Sequence, residues 1–199
     1  MWAFLKRPVE SVLALTLLLL LTPLLGVIAL AIKLADRGPV LFVQTRAGRH
    51  GVPFRMYKFR TMIVDADNLL DERGNPTAVR VTPVGTILRR FSLDELPQLG
   101  NVVLGQMAIV GPRPVPVEYV ARMSAGQKRR HEVRPGLTGL AQVTSRHQAK
   151  WSERIVLDLQ YVDSLSFHTD LGLVLRTARA LVAPGVLVDR GDSSKVDLG

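Results

Sequence analysis

The sequence predicts a mixed α/β domain of a non-Rossmann kind with a membrane segment at its start, and three observations carry that expectation. An almost continuous apolar run covers residues 9–32 and is interrupted by Thr22-Pro23. Two short stretches rich in β-branched and aromatic residues flank a glycine-bounded turn, the pattern of an antiparallel hairpin. No Gly-x-Gly-x-x-Gly fingerprint follows a strand, which argues against a dinucleotide-binding sheet. The expected architecture is an N-terminal re-entrant helix-break-helix in the membrane, a small β-hairpin, and surface and interfacial amphipathic helices.

Glu10 is the only formal charge in the apolar run and falls in its first turn, so the segment belongs in a membrane. A secretory signal would have a core of about 7–15 residues and a small-residue cleavage site. This run is longer and leads through Lys33 and Arg37 directly into the domain. About 24 residues rising 1.5 Å each would reach across the hydrocarbon, so a spanning helix is the main alternative. Against it, Pro23 removes an intrahelical hydrogen bond and clashes with the preceding turn, leaving two halves each too short to cross. Basic residues also stand at both ends, Lys6-Arg7 and Lys33 with Arg37, which places both ends in the cytoplasm by the positive-inside rule. Residues 1–37 therefore read as a hairpin that enters one leaflet and returns, with Met1 and Gly199 on the same side. Prolines also kink ordinary spanning helices, so the spanning form stays open at this stage.

The 199 residues allow one sizeable core, here 38–184, followed by a flexible tail at 185–199. With no cysteine, disulfides and thiolate zinc sites are excluded, and four scattered histidines do not suggest a histidine metal site. A net charge of +9 and a pI near 10.6 call for an acidic partner. Nucleic acid, anionic lipid and phosphorylated substrates all qualify.

After Pro39, Val40–Gln44 and Phe54–Phe59 read as the hairpin strands, with Gly48-Arg49-His50-Gly51 as the turn. Alternation puts Lys58 and Arg60 on one side and Phe59 on the other, either a solvated face or a phosphate or headgroup site. Residues 63–70 suggest a short acidic helix, and 71–81, with Gly74-Asn75-Pro76, a loop. A helix from Val117 is expected to run into Lys128-Arg129-Arg130-His131. That cluster lacks neighbouring aromatics and a nucleic-acid motif, so lipid headgroups or solvent suit it better. Trp151–Leu159 begins another helix, and Leu171, Val174, Leu175, Ala178 and Leu181 recur at helical spacing on a core or interfacial helix.

The chemistry concentrates in Arg89-Arg90-Phe91-Ser92-Leu93-Asp94-Glu95-Leu96-Pro97-Gln98-Leu99. A carboxylate can serve as nucleophile or metal ligand, and nearby arginines can hold phosphate oxygens, a composition suited to phosphoryl chemistry. Ser92-x-x-Glu95 is equally a capping box at a helix start. Both readings can hold, because helix N-termini bind phosphate. Arg113, between Pro112 and Pro114, is either an incidental surface arginine on a rigid turn or a second phosphate ligand.

Four motifs together resemble the bacterial sugar transferase family: Lys58-Phe59-Arg60-Thr61-Met62, Ser92 to Leu99, Val110-Gly111-Pro112-Arg113-Pro114, and His131 to Gly139. They occur in the family's order, and the likeness extends from the membrane segment to about Thr177. More narrowly, the chain is similar to the small monotopic polyprenyl-phosphate phosphoglycosyl transferases. The resemblance implies transfer of a phospho-sugar from a UDP-sugar to polyprenyl phosphate, releasing UMP at the cytoplasmic face of a bacterial inner membrane. It further implies Asp94 as nucleophile and metal ligand, Glu95 beside it in the catalytic pair, and Mg²⁺ as cofactor. Arg89 and Arg113, and more weakly Lys58 and Arg60, are then ligands of substrate phosphates.

Departures from the family pattern are Thr22-Pro23 in place of Ser-Pro, Leu140 in place of tryptophan, and Thr144-Ser145 in place of Asn-Gly. The first keeps a hydroxyl and the ring. The others lie outside the catalytic motif and bear on sugar or nucleotide specificity. A non-catalytic membrane adaptor would explain the apolar run and the charge but not the carboxylate and arginine motifs. A nucleic-acid binder would explain the charge alone, so no nucleic-acid partner is expected.

Overall fold

A computed structural model describes residues 2–64, 66, 80–144 and 150–182. Helix α1 (Trp2–Asp36) is one 35-residue element with Pro8 and Pro23 inside it. The break expected at Thr22-Pro23 is therefore not a break in the helix. Pro23 still has no N–H to offer the carbonyl four residues earlier. The Thr22 hydroxyl donates to Leu18 O at 2.8 Å, so its side chain turns back onto the helix.

One face of α1 packs on the rest of the chain from end to end. Ala14, Leu18 and Leu21 meet Phe54, Met56, Leu99, Val102 and Met107, while Leu25, Ile28, Ala29 and Ile32 meet Phe59 and Leu88. Steps of four and three keep these residues on one stripe of a helix. The remaining faces expose Phe4, Val12, Leu19, Leu20, Val27, Leu30 and Leu34. Both ends are tied by polar contacts: Trp2 and Lys6 to Asp170, and Asp36 to Arg60.

Strands β1 (Leu41–Ala47) and β2 (Pro53–Phe59) form the expected antiparallel hairpin, with Leu41 opposite Phe59 and Ala47 opposite Pro53. Helices α2 (Pro83–Arg90) and α3 (Gln98–Val103) follow, joined by a 3₁₀ turn at Leu93–Glu95. Strand β3 (Ala108–Val110) pairs in parallel with β4 (Gly136–Thr138) through two residue pairs. This pairing was not expected, and it is a splice between two segments, far short of an extended parallel sheet. The helix expected from Val117 is divided into α4 (Val117–Arg122) and α5 (Ala125–Lys128). Ser124 and Gln127 form a capping box that restarts the helix there. Helices α6 (Leu140–Thr144), α7 (Trp151–Asp163) and α8 (Phe167–Val182) complete the order. The acidic helix and loop expected at 63–81 fall largely outside the described residues, and the tail at 185–199 lies wholly outside them.

Candidate active site

The carboxylate turn owes its position to α2. Thr82 caps that helix by accepting from Gly85 N at 2.8 Å, and Pro83 occupies its first turn. A Cβ at Gly85 would come 2.0 Å from Thr61 O, so only glycine lets α2 sit this close to the chain leaving β2. One turn later, Arg89 Nε donates to Thr61 Oγ1 at 2.9 Å. Ser92 then adopts φ 57° and ψ 19°, in the left-handed region, and its side chain makes no capping bond. The predicted capping box is thus replaced by a strained corner, costing about 1–2 kcal/mol for a residue with a Cβ. Strain of this kind persists where the surroundings hold the chain. Here Leu93 and Leu96 seat against Ile28, Ile32, Phe59 and Leu88, and Asp94 is left 4% exposed.

Beside Asp94, Glu95 is the meeting point of two cations. Its Oε1 accepts from Lys58 Nζ at 3.1 Å and from Arg113 Nη2 at 3.2 Å. Strand alternation delivers Lys58: Phe59 points into the core, so its neighbour takes the opposite face. Burial is the main cause holding the Lys58 ammonium below the usual lysine range; Arg113 adds to the shift and Glu95 opposes it. Arg60 takes a different course. The strand ends at Phe59, and Arg60, 8% exposed, pairs with Asp36 at the end of α1. Of the four cations expected at phosphates, Lys58 and Arg113 converge on Glu95, Arg89 braces Thr61 one helical turn away, and Arg60 ties the membrane helix to the hairpin.

Arg113 reaches Glu95 because two motifs are pressed together backbone to backbone. Gly111 N donates to Thr138 O at 2.8 Å, and Gly136 N donates to Pro112 O at 2.9 Å. A Cβ at Gly136 would come 2.1 Å from Gly111 N, and one at Gly139 would come 2.2 Å from Gly111 O. Glycine is required for this approach. The Pro112-Arg113-Pro114 turn is thereby fixed, and the exposed Arg113 side chain projects from it.

Two further arginines stand near Arg113. Arg46 is brought near when Ala47 N donates to Val115 O at 2.9 Å, and its own guanidinium donates to Gln44 Oε1 at 2.6 Å. Burial first, and Arg113 second, pull Arg46 down to about 10. Burial and then Arg113 also lower Arg154. The basic cluster at 128–131 separates: Lys128 and Arg129 are exposed, while Arg130 and His131 are buried. The expectation of lipid or solvent contact thus fails for the second pair. Arg130 instead bonds Asp158, a partner the sequence reading passed over. Its signal was present, since Ile155, Asp158 and Tyr161 share one buried face of α7, and a charge on such a face needs a partner.

Asp94 and Glu95 are adjacent carboxylates, and among the described residues no group of three or more acidic or histidine side chains is gathered to hold a metal ion. An ion at this pair would have to complete its shell with waters and substrate phosphates, as Mg²⁺ does where it binds one or two carboxylates.

Residues 1–184 match the family described as bacterial sugar transferase. The chain belongs to that family. It is 44% identical over 158 residues, 78% of this chain and 76% of the relative, to the uncharacterized sugar transferase EpsL of Bacillus subtilis (strain 168). It is 38% identical to the exopolysaccharide production protein ExoY of Rhizobium meliloti (strain 1021), covering 94% of this chain and 87% of the relative. Identity to the UDP-glucose:undecaprenyl-phosphate glucose-1-phosphate transferase of Escherichia coli (strain K12) is 44%, over 87% of this chain but only 39% of that longer protein.

Proposed function

We propose that this chain transfers a phospho-sugar from a UDP-sugar to polyprenyl (undecaprenyl) phosphate, giving polyprenyl-diphosphate-sugar and UMP. This would be the first membrane step in building a bacterial glycoconjugate such as an exopolysaccharide. The observation that carries the reading is the convergence of Lys58 and Arg113 on Glu95 beside the buried Asp94. In that geometry three separate family motifs meet in one place.

The chemistry follows from the charges. An Asp94 oxygen attacks the sugar-bearing phosphorus, the bond from that phosphorus to the bridging oxygen breaks, and UMP departs with the electron pair. In the second half, an oxygen of polyprenyl phosphate attacks the same phosphorus and returns Asp94 to its carboxylate. Each half brings anions together, which is tolerable only among cations. Lys58 and Arg113 supply them. Glu95 accepts from both and offsets part of their charge; when substrate phosphates enter, the two cations can turn to phosphate oxygens. Mg²⁺, held by Asp94 with Glu95 at hand, would neutralise diphosphate charge. Given a UDP-sugar and Mg²⁺ without acceptor, the protein should release up to about one UMP per chain and gain a phosphosugar on the peptide containing Asp94, the signature of covalent catalysis. UMP release that requires polyprenyl phosphate, with no trappable adduct, would favour direct transfer.

For topology, we propose that α1 lies in one leaflet, re-entering the cytoplasmic side with any bend centred on Thr22-Pro23. A helix whose two ends bind Asp170 and Arg60 of the same domain can cross a bilayer only by drawing that domain into the hydrocarbon. Exposed leucines on α1, together with Phe167, Leu171 and Leu175 on α8, supply the apolar surface for lipid. Cysteines placed at Phe4 and at Arg37 should react with an impermeant reagent from the same, cytoplasmic, side. Labelling from opposite sides would mean a spanning helix.

A further inference from the structure

The Arg113 side chain is useful only if its backbone is held in place, and the holder is a buried ion pair far along the chain. Arg130 is 2% exposed and Asp158 is likewise 2% exposed. Arg130 donates to Asp158 Oδ2 from Nε at 3.0 Å and from Nη2 at 2.5 Å, and the same Nη2 donates to Arg113 O at 2.9 Å. The guanidinium also lies 5.9 Å from the centre of the Trp151 ring, which limits its movement. Asp158 and Arg130 are thus linked by hydrogen bonds to the Arg113 main chain, whose side chain carries Nη2 to Glu95 at 3.2 Å.

Stability alone does not explain this pair. Two buried charges lose their hydration, and apolar residues of similar volume often serve a fold as well or better. Both donors crowd onto Oδ2, while Asp158 Oδ1 is buried and has no hydrogen-bond partner among the described residues. What the pair does supply is a planar fork that can hold a carboxylate and a main-chain carbonyl together, a task a lysine ammonium performs poorly.

We infer that Arg130, oriented by Asp158, is a positioning residue: it clamps the main chain of Arg113 so that the Arg113 guanidinium is presented to the reacting phosphates. Prolines on both sides restrict the turn's dihedrals, and the glycine contacts at 111, 136 and 139 set its distance from β4. These restrain the turn as a whole. The hydrogen bond from Arg130 adds the one side-chain contact made to the Arg113 carbonyl itself among the described residues. The inference rests on the proposed reaction for its kinetic consequences and on the geometry alone for its structural one.

The test is a double-mutant cycle with a structural readout beside it. Arg130→Lys should lower kcat/KM for the UDP-sugar by about tenfold, mainly through KM, because a charge remains for Asp158 while the fork is lost. In an Arg113→Lys background, the same change should lower kcat/KM by no more than about twofold, since a residue acting through Arg113 has little left to act on. Asp158→Asn should give the same non-additive pattern and stands in if Arg130→Lys does not fold. Hydrogen exchange should show faster deuterium uptake in the peptide carrying Arg113 and Val115 in Arg130→Lys, with little change in α2. Full multiplication of the two losses, or unchanged uptake at that peptide, would overturn the inference. A wild type that releases no UMP from any UDP-sugar sinks the proposed reaction instead, and the exchange measurement still decides the clamp.

Discussion

Asp94→Asn should abolish UMP release from UDP-sugar alone and polyprenyl-diphosphate-sugar formation together, a loss on the order of a thousandfold or more. An amide is isosteric with the carboxylate but is a poor nucleophile and a poor ligand for Mg²⁺. The fold should survive, because Asp94 sits on a turn whose position is set by Leu93, Leu96 and the left-handed Ser92. Circular dichroism and melting temperature will separate chemistry from unfolding. The decisive comparison is with Glu95→Gln, which keeps the nucleophile but removes the negative charge on which Lys58 and Arg113 converge. Because the amide oxygen of glutamine can still accept while the negative charge is gone, that variant should retain a measurable UMP burst, whereas Asp94→Asn should have none. A full burst in Asp94→Asn would remove Asp94 from the covalent role.

The sequence disclosed elements whose cause is local and concealed those whose cause lies elsewhere in the chain. Alternation and turn residues placed both hairpin strands, and the apolar run marked α1. Periodicity at 171–181 marked α8. In contrast, whether Pro23 breaks α1 depends on what the helix leans against. The stripe from Ala14 to Ile32 packs on β2, α2 and α3 without interruption, and that packing favours one continuous element over the missing bond at a proline. Ser92 is similar. Its spacing to Glu95 fits a capping box, but a left-handed corner is imposed by the burial of Leu93 on one side and the Arg89 brace on the other.

The meeting of Asp94-Glu95 with Lys58 and Arg113 was legible because each belongs to a compact motif. Their second layer was not. Arg130 stands in a run of basic residues that reads as surface, and only the fold reveals that it turns inward toward Asp158 while Arg129 reaches Asp163 outside. The parallel pairing of β3 with β4 was equally hidden, being two residue pairs long. Without it the motif at 110–114 would have no fixed relation to the motif at 131–139, and Arg113 would not face Glu95.

The largest stability effect is expected at Asp170, in the first turn of α8. Its Oδ2 accepts from Trp2 Nε1 and from Lys6 Nζ, each at 2.7 Å, and its Oδ1 lies 2.8 Å from the Tyr161 hydroxyl. Lys6 also donates to Glu10 at 2.7 Å, and Glu10 Oε1 accepts from Val110 N at 3.2 Å. One carboxylate therefore joins the start of α1, the end of β3 and helices α7 and α8. Lys6, Glu10, Tyr161 and Asp170 are all buried, so Asp170→Ala deprives Trp2 Nε1 of its acceptor and Lys6 of one of its two carboxylates, while Tyr161 keeps only Val110 O at 3.0 Å. Removing one partner of a buried charge network costs about 3–5 kcal/mol, which for a chain of this size lowers the melting temperature by roughly 10 °C. Asp170→Asn should lie between, since an amide oxygen can still serve Trp2 or Tyr161 but brings no charge to Lys6. The loss should also be visible locally, because Trp2 is one of only two tryptophans and its emission reports directly on the detached end of α1. A melting temperature unchanged by Asp170→Ala would mean that lipid, and not this network, holds the membrane helix against its domain.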